Sequence, residues 1–91
     1  MTDATQKARL AVLSDTARAV YRFVRGYLAD NAGAPPTVRE IADGVGVGST
    51  SSVSYHLRHI EAVELIVPVR RNGRTYYTVS EMAEAAKGLS K

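Results

Sequence analysis

Ninety-one residues, 45% of them hydrophobic, suffice for one domain with a single modest core and exclude wholesale disorder. The lack of cysteine excludes a disulfide framework and a thiolate metal site and fits a reducing cytoplasm, where the protein is expected. A formal net charge of +3 names no partner by itself; the placement of the basic residues says more.

Residues 1–13 open on the polar stretch "MTDATQKARL", which lacks the charged-then-apolar profile of a leader peptide. They are expected to form a short helix or a dimerisation arm. No apolar run approaches the roughly 18 residues that a membrane helix needs, so no membrane partner is expected. Ser14 and Asp15 then supply a cap and an acidic first turn. Ala17, Val20, Tyr21, Val24 and Leu28 recur at i, i+3/i+4, i+7, with Arg18, Arg22 and Arg25 opposite. This pattern predicts an amphipathic helix ending near Asn31, stopped by Gly33, with the three arginines as its solvated back.

The two prolines of "GAPPT" forbid helix and hold an extended approach. Thr37 and Glu40 have the spacing of a capping box. The short helix they open has Val38, Ile41, Ala42 and Val45 as apolar positions. Gly44 and Gly46 are expected to make a sharp turn, with Val47 plugging the core. Ser49 or Thr50 then caps a further helix whose apolar spine is Val53, Leu57 and Ile60. Its outward positions are Ser51, Ser52, Ser54, Tyr55, Arg58 and His59. Two strands, Leu65–Val69 and Thr75–Val79, flank "RRNGR", where Asn72-Gly73 is a strong hairpin signal. Pro68 points to an edge strand. Ser80 is expected to cap a final helix through about Lys87, with Glu81 and Glu84 in its first turn.

The glycines of "DGVGVGSTSSVSYHLRHI", Asp43 to Ile60, invite a phosphate-cradle reading. A Walker loop needs a lysine before its Ser or Thr, and no lysine falls between Lys7 and Lys87. A dinucleotide fingerprint needs a preceding strand, but "TVREIADGV" is a capped helix pattern. The glycines instead allow a reversal between two helices. The hydroxyl run "STSS" then stands where donors reach phosphates or base edges. Helix, short helix, glycine turn, helix, basic hairpin and helix make an α+β, mainly α, winged helix-turn-helix: a three-helix core, a β-hairpin wing and an extra C-terminal helix. The expected divisions are 1–13, 14–80 and 81–91.

The stretch "GAPPTVREIADGVGVGSTSSVSYHLRHIE", Gly33 to Glu61, resembles the DNA-binding domain of the LexA repressor family, above all its actinobacterial form. The most specific parts are "PPT-x-x-E-I" and "STSSV-x-x-x-L". The resemblance implies that the helix after the glycine turn enters the major groove and that the hairpin touches backbone or minor groove. It implies base- or phosphate-facing roles for Ser49, Ser51, Ser52, Ser54 and Tyr55, and places Thr37 and Arg39 near phosphates. Relatives carry a self-cleaving peptidase domain with a serine–lysine pair; nothing of that kind occurs in these 91 residues, so a stand-alone relative is expected.

Each assignment has a plainer competitor. Serine is a poor helix former, so three serines in one turn of a merely solvated face would weaken it; DNA contact at Ser51, Ser52 and Ser54, with Thr50 beside them, is favoured. Tyr55 has a second reading, packed against the amphipathic first helix. Arg70, Arg71 and Arg74 would keep an edge hairpin soluble, but around an Asn-Gly tip they suit phosphates better. Arg58, one turn after Ser54, suits a phosphate or guanine. His56 and His59 have metal-compatible spacing but no third ligand, so no metal and no cofactor are expected. No paired nucleophile and base is present, so no enzyme is expected. The function expected is sequence-specific binding of double-stranded DNA by a transcriptional repressor, as a homodimer on a palindromic operator at the bacterial nucleoid. The alternative is a winged-helix module that binds and regulates another DNA-binding protein.

Overall fold

A computed structural model of the chain describes residues 3–83. The elements run α1 (Asp3–Ala11), α2 (Asp15–Asp30), α3 (Val38–Val45), α4 (Thr50–Ala62), β1 (Ile66–Arg71) and β2 (Arg74–Val79). This is the α+β winged helix-turn-helix expected, with a further helix in front. No helix among the described residues is long and apolar enough to cross a membrane.

The N-terminal segment forms a helix docked on its own chain. Only its end is apolar, with Leu10 and Leu13 on the core, which explains why the segment opens on a polar stretch. Gln6 donates to the Tyr21 hydroxyl at 2.6 Å, and Arg9 pairs with Glu64 at 3.2 Å. Arg18 donates to the carbonyls of Leu10 at 3.3 Å and Leu13 at 3.0 Å, satisfying acceptors that the end of α1 leaves open. It also pairs with Asp15. Arg18 is therefore not part of a solvated back, and Arg25 pairs with Glu81 at 3.1 Å; Arg22 is exposed as expected.

Helix α2 is the central element, packed against α3, α4 and β2. Ser14 caps it by accepting the Ala17 N–H at 3.1 Å. Ala17, Val20, Tyr21, Val24 and Leu28 are buried, as their spacing predicts. The helix stops where Ala32 and Gly33 both turn left-handed, φ 54° and 88°, and the Gly33 N–H closes onto the Leu28 carbonyl at 2.8 Å.

Thr37 and Glu40 form the expected capping box at the start of α3, and Ile41 and Ala42 are buried beneath it. The turn into α4 rests on Gly46 alone of the two glycines assigned to it: φ is 81° and its N–H bonds the Ala42 carbonyl. Gly44 lies inside α3, and a Cβ there would collide with the ring of Phe23. Its smallness serves a helix–ring contact, not a turn. Ser49, rather than Thr50, caps α4. Val53, Leu57 and Ile60 form its buried stripe.

The strands pair antiparallel, from Ile66 opposite Val79 to Arg71 opposite Arg74. Both reach closer to the tip than Leu65–Val69 and Thr75–Val79 would place them. Asn72 and Gly73, φ 51° and 77°, make a two-residue turn of the primed type, so the arginines belong to the strands. Pro68 is exposed opposite Tyr77, tolerated because both strands of a two-stranded sheet are edges. Tyr77 packs against the core, while Tyr76 lies half-buried on the other face. Ser80 is buried; its hydroxyl donates to the Glu64 carbonyl at 2.6 Å. Its N–H bonds the Leu65 carbonyl at 3.0 Å, clasping the base of the wing to the turn after α4. Residues 80–83 are helical; the rest of the expected C-terminal helix lies outside the described residues.

Gly44→Ala sets a gain in helix propensity of about 1 kcal/mol against overpacking that typically costs about 1–3 kcal/mol. The collision wins, so urea unfolding should show net destabilisation. In a Phe23→Ala background the ring is gone, and the same substitution should become stabilising by about 1 kcal/mol.

Candidate nucleic-acid interface

The buried stripe of α4 dictates what its opposite side presents. Ser51, Ser54, Tyr55 and Arg58 recur at i, i+3, i+4 and i+7, and all are exposed. Thr50, the first residue of the helix, is exposed as well. The hydroxyl run is divided by function. Ser49 accepts the Ser52 N–H at 3.2 Å and donates its own hydroxyl to Ser52 Oγ at 3.1 Å. These two hold the helix start together, and Ser52 is half-buried. Thr50, Ser51 and Ser54 face out.

Arg39 joins segments that are distant in sequence. One groove beside it is lined by Asp43, Val47, Gly48, Ser49 and Thr50, between α3 and the start of α4. A second is lined by Thr37, Val38, Arg74, Thr75 and Tyr76, between α3 and the wing. The Arg39 guanidinium lies 3.8 Å from Asp43, with both side chains largely exposed, a pairing too weak to immobilise it.

Register splits the wing arginines. Side chains alternate across a strand, so Arg71 and Arg74, directly opposite each other, share one face while Arg70 takes the other. Like charges directly opposite repel. Arg70 also donates to the Gly73 carbonyl at 3.4 Å, resting on the turn. All three are exposed.

The start of α3 is braced from α2, which the sequence pattern does not reveal. Glu40 accepts the Thr37 N–H at 2.9 Å and the Tyr27 hydroxyl at 2.8 Å. Thr37, half-buried, in turn accepts the Glu40 N–H at 3.0 Å. The bond from the Thr37 backbone, then that from Tyr27, hold the Glu40 carboxyl below its ordinary value. The same hydrogen bond to Glu40 raises the Tyr27 phenol.

Tyr55 does not pack on α2. It is 51% exposed, with its ring centroid 4.3 Å from that of His59. His56 and His59 therefore have aromatic company; among the described residues no cluster of three or more potential metal ligands occurs.

Residues 11–73 match the model of the LexA DNA binding domain. The chain belongs to that family. The match runs from the end of α1 through the hairpin turn, so it takes in every residue assigned above to DNA contact except Arg74. The LexA repressor of Carboxydothermus hydrogenoformans is 42% identical over 52 residues, 57% of this chain and 25% of that protein. That of Corynebacterium jeikeium is 46% identical over 56 residues, 62% of this chain and 16% of that protein. A Clostridium botulinum LexA repressor is 44% identical over 52 residues, 57% and 25% of the two chains. The chain thus spans a quarter or less of the length of these relatives.

The brace at this LexA-type helix start has a pH signature. Because folding depresses the Glu40 value, its ionised form contributes stability above the usual glutamate value of about 4.3. That contribution is lost as pH falls through the lower folded-state value. Glu40→Gln should lower the melting temperature at pH 7, and the gap from wild type should close as melting is followed down to pH 3.

Proposed function

We propose that this chain binds double-stranded DNA in a sequence-specific way and acts as a transcriptional repressor by occupying an operator. The outward stripe of α4 enters the major groove, where Ser51, Ser54, Tyr55 and Arg58 meet base edges. Thr50, Thr37 and Arg39 meet phosphates beside it. Ser49 and Ser52 contribute chiefly by holding the helix start, which leaves backbone N–H groups and the positive helix end facing the polyanion. Arg70, Arg71 and Arg74 reach a flanking phosphate or the minor groove.

The observation that carries this reading is the continuity of the polar face: Arg39 borders both the start of α4 and the wing. The repelling Arg71–Arg74 pair adds to it, since a polyanion between the two would relieve the repulsion. The relatives named LexA repressor support the repressor role. A helix of 13 residues contacts only a few base pairs, so a homodimer on a palindrome is the arrangement that gives useful discrimination. Such a protein would reside in the cytoplasm, at operators on the nucleoid. The alternative, a protein-interaction module, would call for a contiguous apolar patch. The large hydrophobic residues exposed among those described are Val12, in the turn after α1, and Tyr55, on α4, so they belong to different elements.

Fluorescence anisotropy of a labelled mixed-sequence duplex across a salt series tests the reading. Removing one phosphate-bound cation flattens the log–log slope by about 0.9, so Arg70, Arg71 and Arg74 changed together to alanine should flatten it by up to about 2.7. Absence of binding by wild type at low salt, or a slope indifferent to the three arginines, would count against DNA or against the wing respectively.

A further inference from the structure

The ring of Tyr55 is exposed yet not loose. His59, one turn later, stands 4.3 Å away at 55°, and His56 meets the ring edge-on at 5.4 Å and 72°. Helical side chains lean toward the helix N-terminus, so His59 lies over Tyr55 from the C-terminal side. The remaining surface of the ring is turned toward the first half of α4. There Ser51, one turn earlier, and neighbouring Ser54 are both exposed and both short. An exposed aromatic ring on the same helix face as two small hydroxyl side chains offers an apolar surface on which a methyl group can rest. Serine pairs with several base edges and discriminates weakly between them. The one apolar group that base pairs offer in the major groove is the thymine C5-methyl.

Resting on the DNA-binding reading above, we infer that Tyr55 is a specificity-determining residue that seats a thymine methyl against its ring. His59 is the positioning residue that holds the ring in place. The ring, not the phenol hydroxyl, carries the contact.

The test begins with a duplex that the intact chain selects from a random pool. Each thymine of the selected site is then replaced by uracil, which removes the methyl and leaves the hydrogen-bonding groups unchanged. Wild type should lose about fourfold in affinity at one thymine of each half-site, the worth of about one buried methyl group. Tyr55→Phe should keep that loss, whereas Tyr55→Ala should bind the two duplexes alike. His59→Ala should reduce the discrimination without altering the salt slope, and His59→Phe should restore it.

Indifference of wild type to uracil at every position, or discrimination retained by Tyr55→Ala, overturns the inference while leaving DNA binding intact. Discrimination unchanged in His59→Ala overturns the positioning role. A chain that selects nothing from the pool overturns the DNA-binding reading, and this inference with it.

Discussion

The burial of one side of α4 against α2 governs the rest of the molecule. Val53, Leu57 and Ile60 have almost no exposed surface, and neither do Val20, Tyr21, Val24 and Leu28 of α2. Truncating a core leucine of this kind typically costs about 2–5 kcal/mol, a large fraction of the roughly 5–15 kcal/mol that holds a small domain together. Helix α4 therefore cannot rotate about its axis without losing the fold. With a period of 3.6 residues, fixing the inner stripe also fixes Ser51, Ser54, Tyr55 and Arg58 on the outside. The face offered to a partner follows directly from the packing of the core.

Polar contacts then set where elements start and how they meet. The Ser49–Ser52 pair opens α4. The Thr37–Glu40 box opens α3 and is tied to α2 through Tyr27. Ser80 closes the base of the wing on the Glu64 carbonyl, which anchors the hairpin close to the end of α4. Several residues on the polar face thus have structural employment, and the hydroxyls left facing solvent are fewer than a count along the chain suggests. This division matters for function, because a side chain that holds a helix start can influence a ligand only through the geometry it maintains.

Local patterns are legible wherever the physics is local. The inner stripes of α2 and α4 follow from apolar spacing, the Thr37–Glu40 cap from a three-residue separation, and the tight wing turn from Asn72-Gly73. The candidate face is legible in outline, because the hydroxyl run after Gly48 and the arginines around Asn72-Gly73 stand out by type and position. Gly44 departs from expectation because a glycine near a turn looks the same whether it bends the chain or makes room for a ring. Arg18 departs from it because helical periodicity shows that it lies off the core stripe of α2, but not that the end of α1 comes to meet it.

The sequence by itself determined the order of helices and strands though not their exact ends, the apolar stripes of α2 and α4, and that hydroxyls and arginines gather around a glycine turn and a hairpin tip. These properties depend on neighbours within about one helical turn or one strand pair. The tertiary structure alone decided that Tyr27 braces Glu40 across 13 residues, that Ser80 reaches Glu64 across 16, and that Arg9 reaches Glu64 across 55. It also decided that Arg39 lies between the start of α4 and the wing. Such partners are brought together by the burial of side chains elsewhere in the chain, so no local spacing encodes them.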